Sequence, residues 1–174
     1  MAPQVLLGHG ASGSAASMGP FVTGLRRRGV QARALELPKN AAERAMSVFE
    51  AAIKDPATTV LGGHSYGGRV ASMVAADRPV AGLVLFAYPL HRPGHPQELR
   101  TEHWPRISCP VLLLSGERDP FATLDLLRRE VRCLREAELV TYPGVGHGLH
   151  GKPGFDDALD RMAAFVHRVT GAPV

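Results

Sequence analysis

The sequence predicts an α/β architecture in three layers: about six parallel strands with helices on both faces. Three observations predict it. Short apolar runs alternate with longer helical patterns along the chain. The runs Val60-Leu61-Gly62-Gly63, Leu83-Val84-Leu85-Phe86 and Val111-Leu112-Leu113-Leu114 lack polar alternation, as strands buried on both sides require. Glycine and proline fall between the runs, where connections belong. The 174 residues, 45% of them apolar, are read as one domain spanning 1–174, with a sizeable core and no room for a second domain.

The elements follow in order. Gln4–Leu7 reads as a strand, followed by a Gly/Ser-rich loop and a helix over about Met18–Arg28. Arg26, Arg27 and Arg28 complement the negative end of that helix, and Gly29 stops it. Gln31–Leu35 is a strand and Ala41–Lys54 a helix. Thr58–Leu61 is a strand bounded by Gly62-Gly63, and Tyr66–Ala76 a helix of small residues. Val80–Phe86, Val111–Leu114 and Glu138–Thr141 complete the sheet, with helices over about Thr123–Leu134 and Phe155–Val169. Ala87–Cys109 is too short for a full cap domain. In such a sheet, functional side chains are expected on loops after the carboxyl ends of strands.

Composition narrows the function. The net charge is +4 and aromatics make up 6%, with no basic stripe interleaved with aromatics, so no nucleic-acid partner is expected. No stretch approaches the roughly 18 to 20 apolar residues of a membrane span. The opening residues read as a strand rather than a leader. Cys109 and Cys133 lack partners at metal-ligand spacing and read as free thiols of a reducing cytoplasm. His91, His95 and His103 have no acidic or cysteine partners at ligand spacing, so no metal is expected, and no other cofactor.

The chemistry concentrates at Gly63-His64-Ser65-Tyr66-Gly67, a G-x-S-x-G pattern with an apolar strand before it and a helix after it. A serine nucleophile needs a tight strand-to-helix turn, and side chains two before and two after it would clash. Glycine stands at both places. The turn also sets Ser65 at a helix N-terminus, where developing negative charge is favoured. Read structurally, the same serine would merely cap the helix.

A serine hydroxyl needs a base. His147, in Gly146-His147-Gly148 after the last strand, can swing over the elbow. The carboxylate that orients it is expected between them in the chain. Leu114-Ser115-Gly116-Glu117-Arg118-Asp119 supplies Asp119, with Glu117 as the alternative. The rival reading makes Asp119 a helix cap. The loop Gly8-His9-Gly10-Ala11-Ser12-Gly13 offers an oxyanion donor, assigned to the Ala11 amide, with the Tyr66 amide as the second. That loop also satisfies G-x-G-x-x-G, with Glu36 placed as a ribose acid, so a nucleotide-binding protein is a competing reading.

The order Ser65, Asp119, His147 resembles that of α/β hydrolases. The chain is similar to the testis-expressed-protein and non-specific-lethal-complex type, related to dienelactone-hydrolase-like proteins. The resemblance is carried by Gly8-His9-Gly10-Ala11, Gly63 through Arg69, Tyr88-Pro89-Leu90-His91 with Leu99-Arg100, Leu114 through Asp119, and Gly146-His147. It implies an α/β-hydrolase core and a Ser-His-Asp triad. Because the first strand here already carries the oxyanion loop, the usual first two strands are expected to be absent. Dienelactone hydrolases proper carry a cysteine nucleophile, and Ser65 departs from that. The expected activity is hydrolysis of carboxylic esters or thioesters of a small acyl substrate. His9, His64, Tyr88, Leu90 and Trp104 are the expected substrate-binding residues, with packing as core the alternative for Tyr88, Leu90 and Trp104. The competing class is a non-catalytic scaffold of the same fold serving as a binding module.

Overall fold

The computed structural model describes residues 2–171. Six strands form the sheet: β1 (Gln4–Gly8), β2 (Gln31–Leu35), β3 (Thr59–His64), β4 (Gly82–Phe86), β5 (Val111–Gly116) and β6 (Ala137–Tyr142). Their order is β2-β1-β3-β4-β5-β6, and every pairing is parallel. The helices are α1 (Gly19–Arg26), α2 (Ala42–Ala52), α3 (Tyr66–Asp77), α4 (Leu124–Glu130) and α5 (Phe155–Thr170).

Side chains alternate between the two faces of each strand, which explains the uniformly apolar runs. Val60, Val84, Phe86, Leu112 and Leu114 pack with Phe21 and Leu25 of α1 and Leu159 and Phe165 of α5. Leu61, Leu83, Leu85, Val111 and Leu113 pack on the opposite face with Phe49 of α2, Val70 and Val74 of α3 and Leu127 of α4. Each strand thus feeds two cores, the three-layer arrangement the sequence predicts.

The departures are local. α1 ends at Arg26, and a turn through Gly29 (φ 77°) returns the chain to β2. Arg28 then does more than complement a helix end. Its guanidinium donates to Asp160 at 2.6 Å and ties α1 to α5. α4 stops at Glu130 and tightens into a 3₁₀ turn, Val131–Cys133. The connection after β4 is irregular, with one 3₁₀ turn at Trp104–Arg106 and a bridge between Arg92 and His95. No cap is built from it. Cys109 is buried, Cys133 is exposed, and both are free thiols.

The chain leaves β1 toward β2 on one side and leaves β3 toward β4 on the other. A crevice opens at the carboxyl ends of two strands whose connections diverge in this way. The loops after β1 and β3 meet there. Their approach is backbone to backbone: a Cβ on Gly63 would sit 2.6 Å from the Gly8 carbonyl oxygen, and one on Gly67 would overlap the Gly8 backbone itself. Glycine is required at both places by this contact.

Candidate active site

Ser65 sits between β3 and α3 with φ 49° and ψ −117°, a conformation that L side chains rarely adopt. The amide of Ser65 donates to the Phe86 carbonyl at 3.0 Å, which anchors the turn to β4. The Ser65 side chain makes no capping bond to α3. Its hydroxyl lies 2.8 Å from Nε2 of His147. The helix-cap reading is thereby displaced: the side chain points away from the helix it precedes.

His147 arrives on the loop after β6 and Asp119 on the loop after β5. The two loops are knitted together, with the Glu117 amide donating to the Tyr142 carbonyl at 3.0 Å and the Arg118 amide to Val145 at 2.9 Å. Nδ1 of His147 stands 2.8 Å from Oδ2 and 2.9 Å from Oδ1 of Asp119. The Asp119 side chain is fully buried and also accepts the Phe121 amide at 2.8 Å. A buried carboxylate with two donors holds Nδ1 protonated. Nε2 is then the free lone pair, and it faces Ser65. Glu117 accepts instead from the Thr141 hydroxyl at 2.8 Å, so Asp119 and not Glu117 faces the imidazole.

Ala11 and Tyr66 line the same cavity of about 700 Å³ as Ser65 and His147. Neither amide donates to another backbone group among the described residues. As the first residue of α3, Tyr66 has an amide with no partner inside the helix. The two assigned donors come from separate elements, Ala11 from the loop after β1 and Tyr66 from the first turn of α3.

A family model described as an alpha/beta hydrolase domain matches residues 2–167. The chain belongs to that family. An uncharacterized protein of Mycobacterium tuberculosis is 34% identical over 109 residues, covering 53% of this chain and 39% of that protein. The match thus spans well under half of the relative. Among solved structures, a monoacylglycerol lipase of Paleococcus ferrophilus superposes with TM-score 0.79 at 18% identity, covering 99% of this chain and 96% of the other. A dienelactone hydrolase of Anabaena variabilis gives 0.74 at 21%, covering 96% and 86%. Est1E of Butyrivibrio proteoclasticus gives 0.76 at 14%, covering 98% and 89%.

In this alpha/beta hydrolase, the expected substrate-binding residues divide. His64 lines the cavity, with Nε2 3.4 Å from the His147 carbonyl. Burial first, and then the neighbouring His147, hold its imidazole below the ordinary range, so it stands neutral beside the site. His9 does not reach the cavity. It is wholly buried, and its Nε2 accepts the Leu37 amide at 3.0 Å, stapling the loop after β1 to the loop after β2. Tyr88, Leu90 and Trp104 are likewise core residues, 2%, 0% and 0% exposed. Tyr88 and Trp104 pack edge to face at 5.0 Å under the loop after β4. Large apolar side chains on a short lidless loop gain more by burial beneath it than by standing in solvent. Glu36, the expected ribose acid, accepts the Ala15 amide at 2.8 Å at a 3₁₀ turn.

The structure adds residues that the sequence did not assign to the site. Phe121 stacks on the His147 ring at 4.1 Å and limits its swing. Its place two residues past Asp119 was the available signal. Arg69, Arg100, Asn40 and Pro89 complete the cavity wall. A second cavity of about 510 Å³ opens on the other side of His64 and His147, walled by Met18, Phe21, Leu149 and His150.

Proposed function

We propose that this alpha/beta hydrolase is a serine esterase cleaving carboxylic esters or thioesters through an acyl-enzyme. The observation that carries the reading is the continuous hydrogen-bonded relay from the Ser65 hydroxyl through His147 to buried Asp119. The Ser65 oxygen adds to the acyl carbon as its proton passes to Nε2 of His147. The Ala11 and Tyr66 amides receive the oxyanion, each donor worth about 3 to 4 kcal/mol of barrier. Collapse expels the alcohol or thiol, which takes the proton from His147. Water, activated by the same nitrogen, then releases the acid and restores Ser65. Asp119 orients the imidazole and stabilises the imidazolium without taking the proton.

The two cavities on either side of His147 supply separate room for an acyl chain and a leaving group. Within the family, the segment Tyr88-Pro89-Leu90-His91 favours the testis-expressed and non-specific-lethal branch. The test is covalent labelling by a fluorophosphonate together with hydrolysis of short p-nitrophenyl esters. Both are expected in the wild type and lost in Ser65→Ala. A wild-type protein that neither labels nor turns over would overturn the reading in favour of a non-catalytic scaffold.

A further inference from the structure

The 700 Å³ cavity is lined by two arginines, Arg69 and Arg100, and by no carboxylate residue. Arg69 lies in the first turn of α3, its amide donating to the Ser65 carbonyl at 3.0 Å. Arg100 comes from the loop after β4. That loop is pinned: the Arg100 amide donates to Leu90 at 2.9 Å, and the Arg100 carbonyl accepts the Tyr88 hydroxyl at 2.6 Å. The buried Tyr88 and Leu90 thus serve the cavity by fixing where Arg100 stands.

Neither arginine forms an ion pair among the described residues. Glu98, the acid nearest in charge to Arg100, is held by Arg92 at 2.6 Å. Nε of Arg69 is buried with no hydrogen-bond partner. Burial, and then the like charge of Arg69, lowers the Arg100 guanidinium from its ordinary range. Arg69 also stands at the positive end of the α3 dipole, with no acid in that first turn. Two unfavourable placements coincide at the cavity: a like-charge pair and a cation at a helix N-terminus. An anion in the cavity reverses both, and the planar fork of arginine matches a carboxylate or phosphate.

We propose that the site selects acyl esters that carry a second, anionic group, held between Arg69 and Arg100 while Ser65 faces the ester carbon. This deepens the serine-esterase reading and rests on it. The substrate class is then a half-ester of a short diacid, or its phosphate-bearing counterpart, rather than a neutral lipid ester.

The experiment compares kcat/KM for mono-p-nitrophenyl glutarate and for neutral p-nitrophenyl butyrate at fixed ionic strength. The wild type is expected to favour the anionic ester by about tenfold or more. In Arg100→Gln and in Arg69→Gln that ratio is expected to fall to about one or below. Arg100→Gln alone carries the test if Arg69→Gln does not fold. Competitive inhibition of butyrate hydrolysis by glutarate and not by inorganic phosphate identifies a carboxylate; the reverse identifies a phosphate. Equal or better turnover of the neutral ester, with neither anion inhibiting, overturns the proposal and leaves the esterase standing. Failure of the underlying reading looks different: neither ester turns over, the fluorophosphonate does not label, and the proposal falls with it.

Discussion

Helix α3 is flanked by two serine–histidine pairs. Ser65, just before it, lies 2.8 Å from His147. Ser72, within it, lies 2.7 Å from His103. By distance the pairs are alike. By proton placement they are opposite. The Ser72 hydroxyl donates to the Arg69 carbonyl at 2.6 Å, so its proton is already spent and His103 must donate Nε2–H to it. On His147 the Asp119 carboxylate claims Nδ1–H, which leaves Nε2 as an acceptor aimed at Ser65. Ser72 is fully buried on an unstrained helix, whereas Ser65 sits on strained backbone at a cavity. A short Ser–His contact therefore says little until the partner of the other ring nitrogen is known.

The largest effect is expected from removing that partner. Asp119→Asn presents an amide where Nδ1–H needs an acceptor, favouring the other tautomer. It is expected to lower kcat by about 10³- to 10⁴-fold. Steady-state kinetics on a short p-nitrophenyl ester measure it, and a loss under tenfold would show that the tautomer is set elsewhere. Next comes Ser72→Ala. It strands a buried His103 donor and is expected to cost about 1 to 3 kcal/mol of stability. Fluorophosphonate labelling is expected to persist, because Ser72 has no role as nucleophile. Denaturant melts read the first expectation and gel fluorescence the second.

The smallest effect is in pH. Burial lowers the His103 pKa from its ordinary value near 6.5, and His64 shifts the same way. The unfolded chain then binds more protons than the folded one below that value. Stability is expected to fall as pH drops through about 6.5 toward the folded-state pKa, and to be retained above it. His103→Gln keeps a donor for Ser72 and removes the titration. Its melting temperature is expected to fall less steeply with acid than that of the wild type. Equal slopes would assign the pH dependence to other groups.

The central strands were legible because burial on both faces leaves runs such as Val111–Leu114 with no polar residue, and all six strands were placed to within a few residues. The meeting of Ser65, Asp119 and His147 was legible for another reason. Each follows a strand of a parallel sheet, and β3, β5 and β6 all deliver their carboxyl ends to the same edge. The wall of the site was not legible. Whether Tyr88 or Trp104 faces a cavity or a core depends on how the loop after β4 folds back, which contacts distant in sequence decide. The same holds for Arg100. Arg69 was within reach, because a residue four beyond Ser65 at the start of a helix lies one turn above it.

The seat of α3 on the end of β1 bears on how this end of the molecule breathes. Where side chains separate two elements, rotamer changes let them slide. Between Gly8 and Gly67 no side chain intervenes, and backbone meets backbone. The loop bearing Ala11 and the turn bearing Ser65 therefore share one rigid reference, and thermal motion must carry both together. Entry and exit of small molecules are left to the outer margin, where Asn40, Pro89 and His150 border the cavities. Loops there can loosen or change length without altering the spacing between the loop bearing Ala11 and the turn bearing Ser65.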